Sequence, residues 1–217
     1  MNQPKLVIFD CDGVLVDSEP ATISVLLDDL TKRGLTLTEK GVNDLFVGGS
    51  IMTAGDQVRQ LGAEIPDNWA DLIYAQIYEL LRKGVKTIDG IEELMDRLDA
   101  KSIPYCVGSN GSEEKMEITL GQHPSLQQRL AGKLYSAHTY AVSKPDPELF
   151  LIAARDFKVA PQDCVVVDDS PTGCTAAKRA GMRCFGLAEH DDGSRLAAQG
   201  ADVIHSLNEI APLLGLE

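Results

Sequence analysis

Long apolar runs are missing from this chain of 217 residues. Nothing in it approaches the length needed to cross a bilayer. Asp10 interrupts the one early apolar stretch, so no secretory hydrophobic region is read either. Cysteine is scarce and unsuited to a framework: there are five (11, 106, 164, 174 and 184), an odd number, and none form a C-x-x-C pair. Cys106, Cys164 and Cys184 fall in apolar, strand-like runs, which predicts reduced core residues and a cytoplasmic protein. The four histidines are scattered without ligand spacing, which argues against zinc. Cations are outnumbered: 20 Lys and Arg face 33 Asp and Glu, a net charge of −13. A surface that acidic disfavours nonspecific nucleic-acid binding, and any phosphate site needs local cations or backbone N–H groups. No G-x-x-x-x-G-K-[ST] loop is present, which excludes that mode of nucleoside triphosphate binding. Internal repeats and low-complexity tracts are also absent.

What the chain does contain is strands alternating with helices. "KLVIFD" reads as a strand buried on both faces. "ATISVLLDDLTKRG" places Ile23, Leu26, Leu27 and Leu30 on one helical face and ends at Gly34. Residues 38–83 read as mostly helical, broken at 48–50, Gly62 and Pro66. From residue 88 onward the pattern alternates. "IEELMDRLD" is followed by the strand "IPYCVGS", the helix "SEEKMEITLG" by the short strand "KLYSA", and the helix "PELFLIAARDF" by the strand "CVVVDD". The helix "TGCTAAKRAG" and the strands "RCFGL" and "ADVIH" complete the series. The expectation is an α/β fold: a Rossmann-like parallel sheet core built from residues 1–17 and 83–217, with an all-helical domain inserted at 18–82.

Ligands of such sheets bind beyond the carboxyl ends of the strands. Those ends carry Asp10-Cys11-Asp12-Gly13, Ser109-Asn110-Gly111, a loop with Ser143-Lys144-Pro145-Asp146-Pro147, and Asp168-Asp169-Ser170. Singly, each has a plain reading: Ser109 as a helix cap, Lys144 as a solvated loop residue, Asp146 as an N-cap. Together they place at least four carboxylates in one crevice. Carboxylates held close repel unless a cation or a shared proton relieves them. Hard carboxylate oxygens suit Mg²⁺, which keeps positions for water and substrate phosphate oxygens. A lysine and a hydroxyl beside it suit the other phosphate oxygens. A carboxylate can attack phosphorus, and a second acid can protonate the leaving oxygen and then activate water.

Four motifs in register, "DCDGV" (within "DCDGVLVDSE"), "SNG", "SKPDP" and "VVVDDS", resemble the haloacid dehalogenase superfamily phosphatases of the β-phosphoglucomutase-like branch, over the whole chain. Within that branch, "SNG…KM", "KLYSA" and "KPDP" resemble the bacterial 6-phosphogluconate phosphatase group. The resemblance implies a helical cap at 18–82 and an Mg²⁺-dependent phosphomonoesterase acting on a small phosphorylated metabolite, a sugar phosphate or sugar acid phosphate. It implies Asp10 as nucleophile and Asp12 as general acid and base, with its backbone carbonyl toward the metal. Asp169 would bind Mg²⁺ with Asp10, with Asp168 as a second contributor. Ser109 and Lys144 would grip the phosphoryl group, and Asn110 would line the same pocket. Asp17 is read as structural, capping the helix into the insert. Mutase members carry a cap-loop arginine where Ile51 stands in the loop 46–57, and the next cation is Arg59. This favours a hydrolase over a sugar-phosphate mutase. Dehalogenase members lack the full acid set, and a catalytically silent binding domain would lack Asp10 or Lys144. Specificity in this architecture comes from cap loops, and the residues near 46–55 and 112–116 offer Lys115 as the one cation for it; the alternative reading is a solvated helix residue, the more common case.

Overall fold

A computed structural model describes residues 3–46 and 51–216. The chain opens with strands β1 (Leu6–Phe9) and β2 (Val16–Asp17). Four helices follow: α1 (Glu19–Lys32), α2 (Glu39–Phe46), α3 (Ile51–Gln60) and α4 (Trp69–Leu81). Next come β3 (Lys86–Thr87), α5 (Ile91–Ala100), β4 (Tyr105–Ser109), α6 (Glu113–Leu120), α7 (Pro124–Leu130), β5 (Leu134–Ser136), α8 (Ala137–Tyr140) and α9 (Glu148–Asp156). The last third holds β6 (Cys164–Asp168), α10 (Pro171–Ala180), β7 (Arg183–Leu187), α11 (Ser194–Ala197), β8 (Asp202–Ile204) and α12 (Ile210–Leu214).

Six strands form one sheet in the order β5-β4-β1-β6-β7-β8, with every pairing parallel. This is the α/β, Rossmann-like sheet expected. Strand β1 lies in the middle, and the chain builds first to one side of it and then to the other. The carboxyl end of β1, between β4 and β6, is therefore the topological switch point, where such sheets open a crevice. Leu6, Val7, Ile8 and Phe9 are all fully buried, as a strand covered on both faces requires. Leu6 and Ile8 share a core with Val166, Phe150, Ala153 and Ala177, which come from β6, α9 and α10. All five cysteines are free and buried.

The chain separates into two compact units, Met1–Asp17 with Lys86–Glu217, and Ser18–Val85. It leaves the first unit after Asp17 and returns at Lys86, and these two residues pair across the antiparallel ribbon β2–β3. That ribbon was not expected: each strand is two residues long, too short for any periodicity. The helices α7, α8, α11 and α12 were likewise not read from the sequence, each being eight residues or fewer. Two further expectations are corrected. Asp17 caps nothing, because it is spent in β2 and Ser18 takes the N-cap position of α1. The stretch 46–57 is not a loop in its second half, since Ile51 opens α3, which also carries Arg59. Residues 47–50, with the expected break at 48–50, lie outside the described residues.

The second unit is a four-helix cluster around Leu26, Leu30, Val58, Trp69, Ile73 and Ile77. Asp29 is buried within it on α1. Its Oδ2 accepts from Trp69 Nε1 at 2.7 Å and from Arg33 Nε at 2.7 Å. A buried carboxylate is tolerated only when its hydrogen bonds are made, and here they tie α1 to α4. Asp29→Ala removes the acceptor for both donors and should cost about 3 kcal/mol of unfolding free energy, measured by urea denaturation. A loss well below 1 kcal/mol would mean that Trp69 and Arg33 find other acceptors.

Candidate active site

Strand β1 continues into a tight turn. Asp10 N donates to Val167 O at 2.8 Å, which keeps the end of β1 attached to β6. Leu15 N and Val16 N then both donate to Cys11 O, and Gly13 N to Val16 O. This folds residues 11–16 back at once and leaves Asp10 and Asp12 at the strand end. Gly13 has φ +75°, and a Cβ there would lie 2.1 Å from Asp169 Oδ2. Glycine is thus required twice over, for the turn and for the Asp169 carboxylate lying across it.

Lys144 enters from the loop before α9. Its Nζ donates to Asp10 Oδ1 at 2.7 Å and to Asp168 Oδ2 at 2.8 Å. All three groups are buried, with Lys144 5%, Asp10 7% and Asp168 0% exposed. Burial alone would lower the lysine's pKa, but the charges and hydrogen bonds of Asp10 and Asp168 more than reverse this, and it stays charged. Phe150 packs beneath, its ring centroid 5.5 Å from Nζ. The lysine is therefore not a solvated loop residue.

Asp168 has no oxygen without a protein donor. Ser170 N and Ser170 Oγ donate to its Oδ1, and Lys144 takes Oδ2. Ser170 also caps α10 by accepting from Gly173 N. A Cβ on Gly173 would lie 1.8 Å from Asp168 Oδ2, so the helix start has room for the carboxylate only because residue 173 has no side chain. Oxygen atoms of Asp10, Asp168 and Asp169 lie within 4.8 Å of one another. Three hard oxygen donors at that spacing fit a small divalent cation. With Asp168 held by Ser170 and Lys144, Asp10 and Asp169 are the better placed of the three to bind it. The side chain of Asp12 is not in this group.

The carboxyl of Asp10 is pushed up to about 6 by burial, and the neighbouring charges of Asp168 and Asp12 add to this against the pull of Lys144. Asp169 is raised well above the ordinary range, by burial first and then by Asp10 and Asp168. Carboxylates crowded in this way favour a shared proton or a bound cation.

The Ser109 loop is pinned from three directions. Ser109 is buried, and its Oγ accepts from Gly111 N at 3.0 Å. It does not cap α6, a role that Ser112 takes. Asn110 accepts Lys144 N on Oδ1 at 2.8 Å and donates from Nδ2 to Lys144 O at 3.3 Å. Its carboxamide is thus committed to the backbone of Lys144, and it holds the lysine loop. Ser136, at the end of β5, donates to Gly111 O at 2.7 Å. The sequence pointed to none of these backbone clamps, because a side chain that binds a main chain 25–34 positions away has no local pattern. Asp146 does serve the start of α9, accepting from Glu148 N at 2.8 Å.

Of the two readings of Lys115, the solvated helix residue is the one the structure removes. Its Nζ lies 2.8 Å from Asp12 Oδ1, with the lysine side chain 16% exposed. A Cβ on Gly111 would lie 3.3 Å from Ser109 Oγ, 3.5 Å from Asp12 Oδ2 and 3.8 Å from Lys115 Cδ. Ser109, Asp12 and Lys115 therefore face one small space beside Gly111. The structure thus brings Asp10, Lys144, Asp168 and Asp169 together, with Ser109, Asp12 and Lys115 around Gly111 and Asn110 bridging to the lysine loop.

The family model for haloacid dehalogenase-like hydrolases matches residues 4–181. The chain is similar to 6-phosphogluconate phosphatase of Escherichia coli K12, with 32% identity over 85% of this chain and 83% of that one. It is also similar to a solved haloacid dehalogenase-like protein of unknown function from Agrobacterium tumefaciens. There the TM-score is 0.85 and the identity 31%, over 97% of each chain. A hydrolase of the same family from Deinococcus radiodurans, solved with bound phosphate and sodium, gives a TM-score of 0.83 and 29% identity over 100% of this chain and 98% of that one.

Because the folded pKa of Asp10 lies above its unfolded value, metal-free stability from this group is present at low pH and is lost as pH rises through about 6. A cation bound to the acids restores it. Excess Mg²⁺ should therefore raise the melting temperature more at pH 7.5 than at pH 5, in thermal scans with and without chelator. Equal shifts at both pH values, or none, would separate the acid cluster from metal binding.

Proposed function

Since the chain belongs to the haloacid dehalogenase-like hydrolases and is a phosphatase, we propose that it hydrolyses a small phosphorylated sugar or sugar acid, with Mg²⁺, through a phosphoaspartate on Asp10. The observation that carries this reading is the grip of Lys144 on Asp10. A buried carboxylate held by a buried ammonium has a fixed direction and a counter-charge that stays in place when a dianionic ester arrives. Asp10 and Asp169 would hold Mg²⁺, with Asp168 positioning Lys144 and the backbone carbonyl of Asp12 contributing a further oxygen. When bound, Mg²⁺ supplies positive charge to the phosphoryl oxygens and offsets the repulsion among the acids.

Asp10 attacks phosphorus, and the bond to the alcohol oxygen breaks as the phosphoaspartate forms. Ser109 and Lys144 hold the phosphoryl oxygens through transfer. Asp12 gives its proton to the departing oxygen, then takes one from the water that hydrolyses the phosphoaspartate, regenerating Asp10 and releasing inorganic phosphate. The inserted helical unit would act as the cap. A mutase needs a second anion site there, and Arg59, the first cation after residue 46, is already paired with Asp56 and Asp67. This supports a hydrolase. The similarity to a 6-phosphogluconate phosphatase supports a sugar acid among the substrates. Relatives' names, the acidic surface and the reduced cysteines support a small metabolite as the partner and a cytoplasmic setting. Among the described residues, no helix is long and apolar enough to cross a membrane.

Phosphate release from a panel of sugar phosphates and sugar acid phosphates, with Mg²⁺ or with chelator, tests the reading. Asp10→Asn should fold and release no phosphate, because a neutral amide of nearly the same shape is a far weaker nucleophile. Wild-type turnover by that variant would move the nucleophile elsewhere.

Asp12→Asn should lower turnover of alkyl phosphates on the order of 10²–10⁴-fold. The loss should be smaller for an aryl phosphate, whose leaving group departs without a proton. The comparison is of kcat on the two ester types. Equal losses would remove Asp12 from the acid role.

A further inference from the structure

Lys115 has no task in the mechanism above. Phosphoryl oxygens are served by Ser109, Lys144 and the metal, yet the chain places a second, largely buried ammonium at the same strand end. Its position is built. Ser112 Oγ accepts from Lys115 N, and Thr119 Oγ1 donates to Lys115 O, which fixes the first turn of α6. A helical side chain points back toward the helix N-terminus, and that direction carries Lys115 past Gly111 to Asp12. An ammonium has three donors, and Asp12 Oδ1 takes one of them.

The two lysines pair with different acids, Lys144 with Asp10 and Asp168 and Lys115 with Asp12. Lys144 lies on Asp10 and so on the phosphoryl side. Asp12 must reach the bridging oxygen, within roughly 3 Å for proton transfer. Lys115, 2.8 Å from Asp12, then lies within roughly 6 Å of the bridging oxygen by the same hydrogen-bond reach. An alcohol substituent on the carbon next to the ester carbon falls inside that distance. A group several carbons further along a chain does not, unless the chain folds back. Carboxylates dominate this site, so an anionic substituent would be repelled there without a cation of its own.

We propose that Lys115 reads the leaving group, selecting phosphate esters whose alcohol carries an oxygen acceptor, a carboxylate foremost, on the carbon adjacent to the ester carbon. The substrate class is then small phosphorylated hydroxy acids and polyols. This rests on the role of Asp12 given above.

Four two-carbon esters of similar size test it: ethyl phosphate, 2-hydroxyethyl phosphate, 2-phosphoglycolate and phosphoethanolamine. The readout is the ratio of kcat/KM among them, for wild type, Lys115→Met and Lys115→Arg. For wild type, phosphoglycolate should exceed ethyl phosphate by roughly tenfold or more, as a charge-assisted hydrogen bond implies, and phosphoethanolamine should be poorest. In Lys115→Met the ratios should collapse toward one, and Lys115→Arg should keep the order. An equal fractional loss on all four esters would overturn the proposal and leave Lys115 as a residue that only positions Asp12. An unchanged order in Lys115→Met would overturn it as well. If Asp12→Asn fails the aryl comparison, the premise falls. If it passes and the ratios do not move, the inference alone falls.

Discussion

One buried cation organises this molecule. Lys144 donates to Asp10 and Asp168 in a space where neither acid nor base meets much water. Taking three charges out of water is costly, and only close geometry with the remaining hydrogen bonds made offsets it. Removing one partner of such a group typically costs about 3–5 kcal/mol, because the others stay buried and unpaired. The geometry therefore cannot drift. Asp10 is fixed at the end of β1, Asp168 at the end of β6, and the loop before α9 must return to both. Since Asp169 and Asp12 are close by as well, one ammonium leaves the cluster short of positive charge. A divalent cation held by these acids, as proposed above, would meet that shortfall directly.

Backbone clamps and missing side chains hold this arrangement. Asn110 grips both polar atoms of the Lys144 main chain, so the hydroxyl loop and the lysine loop move as one. Ser136 holds the other side of the hydroxyl loop through Gly111 O. Gly13 and Gly173 make room for Asp169 and Asp168, respectively. Each of these residues touches another part of the chain and not the reacting atoms. Their effect is the preorganisation that electrostatic catalysis depends on, since donors already aimed need no reorientation during the reaction.

The parts legible in the sequence were those with local causes. Strand β1 could be read because four apolar residues in a row have few other uses, and its end because Asp10 and Asp12 are anomalous after such a run. The same holds for β6 and Asp168-Asp169. Lys144 was legible only in company, as one of four strand ends. What the sequence hid is what depends on distance along the chain. The β2–β3 ribbon exists because the chain comes back to Asp17 after 68 residues in the second unit. The clamp made by Asn110 has its partner 34 positions away. Lys115 sits among Glu113, Glu114 and Glu117, a sequence that describes a solvated helix face. Only the approach of α6 to the end of β1 reverses that reading.

The pairing of each lysine with a different acid separates two demands that one site must meet. In the proposed reaction Asp10, Lys144 and the metal-binding acids would treat every phosphate ester alike, because the phosphoryl group is the same in all of them. Selectivity needs a group that senses what differs, and what differs begins at the bridging oxygen. In the proposed reaction Asp12 would reach that oxygen, and a cation held on Asp12 would share its neighbourhood. Lys115 is rooted on α6 and Lys144 in the loop before α9, with Asn110 and Gly111 between them. A change at Lys115 therefore need not disturb the ammonium that holds Asp10. A fold that keeps its phosphoryl grip on one loop and its leaving-group contact on a neighbouring helix can alter the second without rebuilding the first.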